Sequence, residues 1–363
     1  MSSRKIRVAI THGDINGISY EVILKALEDN RMLELCTPIV YGSAKIAAFY
    51  RKNLEMPQIT FNQAATAEEI KDGVYNIINV IGEDTKVEPG VSSEIAGRAA
   101  FTALERAVAD LRAGEVDVLV TAPINKKNIQ SETFSFPGHT EYLEASLGEE
   151  GDKAMMILCN ENMRVALTTI HKPLSQVPQS ISRELVCERI KTLNASLRRD
   201  FGISSPRIAV LSLNPHAGED GLLGNEERNI IIPAIQDAKD KKILVFGPYA
   251  ADGFFGIGRF VKFDGILAMY HDQGLAPFKA LAMDSGINFT AGLPYVRTSP
   301  DHGTGYDIVG RGEASAESMR QAIYTAIDIY RNRQREDACT KRPLKRQYYE
   351  KGADNEVLDL NAE

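Results

Sequence analysis

Short apolar, β-branched runs alternate along the chain with longer stretches in which apolar residues return every three or four positions. "IRVAIT" (residues 6–11) is followed by "YEVILKALED", "TPIVYGS" and "AKIAAFYRKN", and this strand-helix-strand-helix rhythm predicts βαβ units. Ser92 or Ser93 is placed to cap a helix through "EIAGRAAFTALERAVADLRAG". There Ile95, Ala99, Ala103, Leu104, Val108 and Leu111 recur near helical spacing, and Gly114 supplies a C-terminal stop. The continuous apolar run "VDVLVTAP" predicts a buried strand.

The pattern changes in the middle. "KAMMILCNENMRVALTTIHKPL" reads as two strands around Asn160-Glu161-Asn162, an antiparallel hairpin inside an otherwise α/β chain. "PRIAVLSLNPHAGEDG", "KKILVFGPYAADGFF" and "FDGILAMYHDQG" then each pass from an apolar strand into a polar, glycine-bearing loop. By contrast "GINFTAGLPYVRTSPDHGTGYD" reads as irregular and dense in turns. "SAESMRQAIYTAIDIYRNRQ" predicts a helix with Met319, Ala322, Ile323, Ala326, Ile327 and Tyr330 on one face. A charged tail follows, its basic "KRPLKR" (341–346) a solvated surface run. The fold class is α/β with a mixed sheet.

Composition narrows the functional classes. The 363 residues, 44% of them hydrophobic, suffice for two core-forming domains at about 150 residues each. A formal net charge of -7 provides no global attraction for nucleic acid or anionic lipid. Cys36, Cys159, Cys187 and Cys339 are scattered, without a C-x-x-C pair, and no secretory segment opens the chain. A reducing, cytoplasmic setting is expected. No apolar stretch reaches the ~20 residues that span a bilayer.

Polar chemistry gathers where strands stop. His12, His139, His216, His271 and His302 sit in "THGD", "PGHT", "NPHAGE", "YHDQG" and "PDHGTG", and His171 follows a strand in "TTIHKPL". Ligands of open α/β sheets bind beyond the carboxyl ends of strands, so these loops are expected to converge on one crevice. Imidazoles there suit a metal or an acid/base site. The wide spacing of His171, His216 and His271 matches no compact metal motif, and hydrogen-bonded loop histidines are the plain alternative. The chain has no G-x-G-x-x-G, Walker lysine, G-x-S-x-G elbow or H-E-x-x-H. In "HDQGLAPFK", His271, Asp272 and Lys279 read either as ligand, carboxylate and anion-binding cation or as a capped turn with a solvated lysine. The nearby Asn288, Arg297, Asp301, His302 and Asp307 favour function, because so many polar residues in ordered turns are costly unless they bind something.

Six blocks, "TAPINK" (121–126), "FPGHTEYL" (136–143), "NPHAGE" (214–219), "AMYHDQGLAPFK" (268–279), "GLPYVRTSPDHGTGYDIVGRG" (292–312) and the opening "GDINGISYE", closely resemble the 4-hydroxythreonine-4-phosphate dehydrogenase family of pyridoxal phosphate biosynthesis. The match runs in order from residue 6 to about 330. It implies the two-domain fold of isocitrate and isopropylmalate dehydrogenases, with residues 1–131 plus 300–363 on the cofactor side and 132–299 forming the substrate, metal and dimerisation domain. It implies NAD, or NADP, as cofactor and a divalent metal (Zn, Co or Mg). The enzyme would be a homodimer with its active site at the interface, where His171, His216 and His271 hold the metal and one of them, His271 by this reading, crosses to the other subunit. The resemblance also assigns His139, Thr140, Lys279, Asn288 and Arg297 to substrate, Lys279, Asp252 and Asp272 to catalysis, and His302, Gly303, Thr304 and Asp307 to the cofactor. The implied reaction is oxidation and decarboxylation of 4-phosphooxy-L-threonine. Alternatives are dehydrogenation of threonate or erythronate 4-phosphate, or a phosphate acyltransferase of the same fold. Two departures stand out: "GDINGISYE" replaces the family's usual "GDPAGIGPE", and Leu222 and Leu223 stand where a histidine is common.

Overall fold

The computed structural model describes residues 4–282 and 285–341. Its strands are β1 (Arg7–Thr11), β2 (Thr37–Gly42), β3 (Phe61–Ala64), β4 (Tyr75–Asn79), β5 (Val118–Thr121), β6 (Met155–Cys159), β7 (Arg164–Leu167), β8 (Arg207–Leu211), β9 (Leu244–Tyr249), β10 (Gly265–Ala268), β11 (Ile287–Ala291) and β12 (Arg297–Pro300). They join in one mixed sheet in the order β3-β4-β2-β1-β5-β12-β11-β6-β7-β10-β8-β9. The block from β3 to β12 is parallel throughout, as is the block β7-β10-β8-β9. Antiparallel pairings through β11 and β6 join the two.

The first half follows the sequence pattern closely. Ser93 caps the helix Glu94–Arg112 by accepting from the Ala96 N–H, and Gly114 ends it at φ 75°. Its buried stripe includes Ala99, Ala103, Leu104, Val108 and Leu111, and each large member contributes about 1.5–3 kcal/mol by leaving water. Ile95 lies off that stripe and is 39% exposed. β1 and β5 are apolar along nearly their whole length because helices cover both faces. The edge strand β3 and its neighbour β4 were not anticipated; in "FNQA" and "YNIIN" polar residues interrupt the run.

Two expectations need correction. "HDQGLAPFK" is not a loop: His271 opens a helix that runs to Ala282 with Pro277 inside it. Gly274 and Pro277 carry the local signal of a turn, but tertiary packing overrides it. A Cβ on Gly274 would come within 2.8 Å of Leu167 Cδ2 and 2.9 Å of Val165 Cγ1, so glycine lets the helix lie directly on β7. "GINFTAGLPYVRTSP" likewise is not irregular, since it forms the hairpin β11–β12 at the centre of the sheet. Its period is two: Ile287, Phe289 and Ala291 are buried on one side, and Asn288, Thr290, Arg297 and Ser299 point to the other. The C-terminal helix spans Glu317–Lys341, further than its apolar stripe suggested. Apart from Lys341, the basic run 341–346 lies outside the described residues.

Candidate active site

A cleft of about 300 Å³ opens over the central strands. Register builds its floor. Asn288 pairs with Ser299 and Leu158, Thr290 with Arg297 and Met156, so alternate positions of β12, β11 and β6 present one face to the cleft, joined by Thr121 of β5. The opposite face is sealed by the C-terminal helix, where Thr298 donates to the Ala322 carbonyl at 2.7 Å.

Arg297 is 3% exposed, and among the described residues no carboxylate hydrogen-bonds it, the Glu141 charge acting on it only through space. Its Nε and one terminal nitrogen donate to Thr121 Oγ1 (3.1 and 2.6 Å), and the other terminal nitrogen donates to Thr290 Oγ1 at 3.1 Å. Burial lowers its pKa to about 9. A buried cation satisfied only by hydroxyls is costly unless an anion joins it. His139 opens the helix His139–Leu147 beside it. Burial, with the Arg297 and Lys126 charges added, holds its imidazole well below the usual range and therefore neutral.

The walls carry the other charges. The helical steps 271, 275 and 279 bring His271, Leu275 and Lys279 to the lining together. Lys279 lies 3.4 Å from Asp301 Oδ1, and burial raises the Asp301 carboxyl while Lys279 opposes that shift. His171 and His271 stand side by side with ring centroids 6.1 Å apart. His171 Nδ1 donates to Glu141 Oε1 at 3.2 Å, which lowers the Glu141 pKa. His271 Nδ1 is 2.6 Å from Asp272 Oδ1. Each imidazole thus has a carboxylate on Nδ1 and lines the cleft, the arrangement that orients metal-binding histidines. Lys126 Nζ sits 3.4 Å from His171 Nε2.

Ten buried side-chain polar atoms among the described residues lack a hydrogen-bond partner, and four of them, His139 Nε2, Glu141 Oε2, Asn288 Oδ1 and His302 Nε2, belong to this cleft. Buried polar groups are rarely left unpaired, so their concentration marks a place for a ligand.

His139, Thr140, His171, His271, Lys279, Asn288, Arg297, His302 and Gly303 therefore meet in one cleft. Thr304 and Asp307 follow just outside the lining, in a loop pinned to the first turn: the Ile18 N–H donates to the Thr304 carbonyl at 2.9 Å, and the Tyr306 hydroxyl donates to Asp14 Oδ2 at 2.7 Å. The unusual opening acquires a use here. Asn16 Nδ2 donates to the Val91 carbonyl and Oδ1 accepts from the Glu88 N–H, both at 2.8 Å. His216 and Asp252 are exposed outside the lining, and the Asp272 side chain is 84% exposed. Strands β7, β10 and β8 are neighbours, yet no three His, Cys, Asp or Glu among the described residues are disposed to hold a metal within one chain. His271 pairs with His171 of its own chain, and His216 is the one that stands apart.

Sequence reasoning missed Lys126, Glu141 and Thr121. Glu141 follows His139 by two residues on a helix, where nothing local announces its bond to His171. Eight large apolar side chains between Leu222 and Leu281 are exposed, among them Leu222, Phe246, Ile257 and Val261, and β9 is a sheet edge.

Fold and cleft together define an enzyme of the mixed-sheet α/β class with a cationic, imidazole-lined site. The family model for pyridoxal phosphate biosynthetic protein PdxA matches residues 34–326. A 4-hydroxythreonine-4-phosphate dehydrogenase of Bacteroides thetaiotaomicron is 57% identical over 361 residues, 99% of each chain. One of Sulfurihydrogenibium sp. is 40% identical over 329 residues, 90% of this chain and 99% of that one. A crystal structure of the Klebsiella pneumoniae 4-hydroxythreonine-4-phosphate dehydrogenase superposes with a TM-score of 0.78 at 34% identity, covering 90% of this chain and 98% of the other. The chain belongs to the PdxA family.

Proposed function

We propose that the protein oxidises and decarboxylates 4-phosphooxy-L-threonine to 3-amino-2-oxopropyl phosphate with NAD or NADP in pyridoxal 5'-phosphate biosynthesis. The observation that carries this reading is the buried Arg297 without a directly bonded carboxylate among the described residues, set among cleft atoms that lack hydrogen bonds. A substrate bearing both carboxylate and phosphate meets that need. Arg297 and neutral His139 hold anionic oxygens, and Asn288 Oδ1 accepts from the substrate amine. Lys279 takes the 3-hydroxyl proton as hydride leaves C3 for the nicotinamide. The resulting 3-keto acid loses its carboxylate as carbon dioxide, the electron pair of the broken bond passes to an enolate, and Lys279 returns a proton to C2. Asp301 orients Lys279.

The donor set fits a divalent ion, because His171 and His271 are half-exposed imidazoles oriented by Glu141 and Asp272. Such an ion, Zn, Co or Mg, supplies Lewis-acid polarisation of the substrate oxygen. His216 completes the set when two copies associate, a reading supported by its separation in one chain and by the exposed apolar residues around β9. Residues 302–307 hold the dinucleotide, with open space beside Gly303. The residues from 132 to 299 form the substrate side, the remainder the cofactor side, and the setting is cytoplasmic.

The test is NADH formation from 4-phosphooxy-L-threonine and from 4-phosphoerythronate, with and without added divalent metal, for wild type and His271→Ala. Metal-dependent turnover of the first substrate, lost in His271→Ala with folding retained, is expected. Preference for the erythronate ester, or turnover in the variant, overturns the reading.

A further inference from the structure

His216 sits on a stretch of backbone that L-residues avoid. His216, Ala217, Gly218, Glu219 and Asp220 have φ of 52°, 53°, 82°, 42° and 53°, five consecutive left-handed residues of which only one is glycine. Crowding of Cβ against the following carbonyl disfavours this conformation at each of the other four. Its side chain is exposed and makes no hydrogen bond within the described structure. Something else must impose the turn.

Glu227 is placed to do so. It is 1% exposed and forms no ion pair among the described residues. Oε1 accepts from the Leu213 and Asn214 N–H groups at 2.8 and 2.7 Å, and Oε2 accepts from Asn214 Nδ2 at 2.9 Å, an amide that also donates to Glu226 Oε2 at 2.8 Å. The turn also closes over this carboxylate: a Cβ on Gly218 would lie 2.7 Å from Glu227 Oε2. Arg228, the next residue, donates to the Asp220 carbonyl at 3.0 Å and fixes the far end. Burying a carboxylate with no cation is expensive, and what it achieves here is to fix the entry of the turn, whose middle packs against it at Gly218, and so to hold one imidazole out in the open.

We propose that Glu227 is a positioning residue that sets His216 as a metal ligand. This rests on the reading of His216 as a ligand given above. In Glu227→Gln one carboxylate oxygen becomes an amide that faces Asn214 Nδ2 donor to donor, so the turn relaxes toward ordinary dihedrals and His216 leaves its place. Oriented outer partners of this kind change metal affinity by about 10–100-fold.

The experiment titrates Co²⁺ into the metal-free full-length protein, following the visible ligand-field bands, for wild type, Glu227→Gln, Asn214→Ala and His216→Ala, alongside the metal-free melting temperature. The expected result is at least a tenfold loss of Co²⁺ affinity and altered bands in Glu227→Gln, with a metal-free melting temperature within a few degrees of wild type, and a smaller loss in Asn214→Ala. Wild-type affinity and bands in Glu227→Gln overturn the positioning role. If that variant does not fold, Asn214→Ala decides, and unchanged affinity there overturns it. Unchanged affinity in His216→Ala overturns instead the ligand reading on which the proposal stands.

Discussion

The floor of the cleft and its rim are built on opposite terms. The floor, Thr121, Arg297, Thr290 and Asn288, lies on central strands whose register fixes every side chain, and Arg297 is buried with all three guanidinium nitrogens bonded. The rim, His216, Asp252 and Asp272, is exposed outside the cleft lining, in a stretch of chain that also exposes Leu222, Ile257 and Val261. On the proposed reading of a site shared between two copies, a finished floor beside an unfinished rim has a simple sense: one chain would preorganise the pocket and association would supply the rest.

The largest effect tests the rim. Ile257→Glu with Val261→Glu places two charges on side chains that are 69% and 67% exposed. The expected outcome is a monomer by sedimentation whose turnover falls by about a thousandfold, because two imidazoles without the third bind metal weakly. A fully active monomer would remove the contrast between floor and rim altogether.

The floor is tested by Arg297→Met. Loss of the anion-binding cation is expected to raise KM for the phosphorylated substrate about a hundredfold, close to 3 kcal/mol, with little change for NAD. The melting temperature of the free protein is expected to hold or rise, since an uncompensated buried cation has been replaced by an apolar chain of similar volume. A collapse in stability with unchanged KM would make Arg297 structural.

The last effect concerns stability just past the end of β1, outside the cleft lining. His12 is fully buried against Tyr20, with neither ring nitrogen hydrogen-bonded, and burial lowers its pKa to about 4. The fold therefore holds it neutral, whereas the unfolded chain protonates it near pH 6.5. Its contribution is complete above that value and is lost as pH falls toward 4, amounting to about 3 kcal/mol. His12→Leu is expected to flatten that part of the denaturation profile between pH 7 and 4.5; an identical acid-side loss in both proteins would clear His12 of the effect.

Legibility in the sequence followed the range of the interactions. The helix Glu94–Arg112, with its serine cap and glycine stop, was readable because capping and periodicity act within a few residues. The helix from His271 and the hairpin β11–β12 were misread because Gly274 and Pro277, or a polar face turned toward a cleft, look like turn chemistry until the partner surface is present. Convergence of strand-end loops on one crevice was readable from the pattern, and the cleft draws on the blocks around Lys126, His139, His271 and Arg297 but not on "NPHAGE". The roles of the residues came only through resemblance to a family, since spacing alone left the histidines open.

By itself the sequence determined the βαβ rhythm, the absence of nucleotide-loop and hydrolase motifs, and the identities of most cleft residues. Only the tertiary structure decided that Glu141 serves His171, that Arg297 is buried with hydroxyls as its only hydrogen-bond acceptors among the described residues, and that His216 stands apart on a left-handed turn held by Glu227. Those facts depend on strand register and on contacts between residues far apart in the chain, and no local pattern of residues encodes a distance in space.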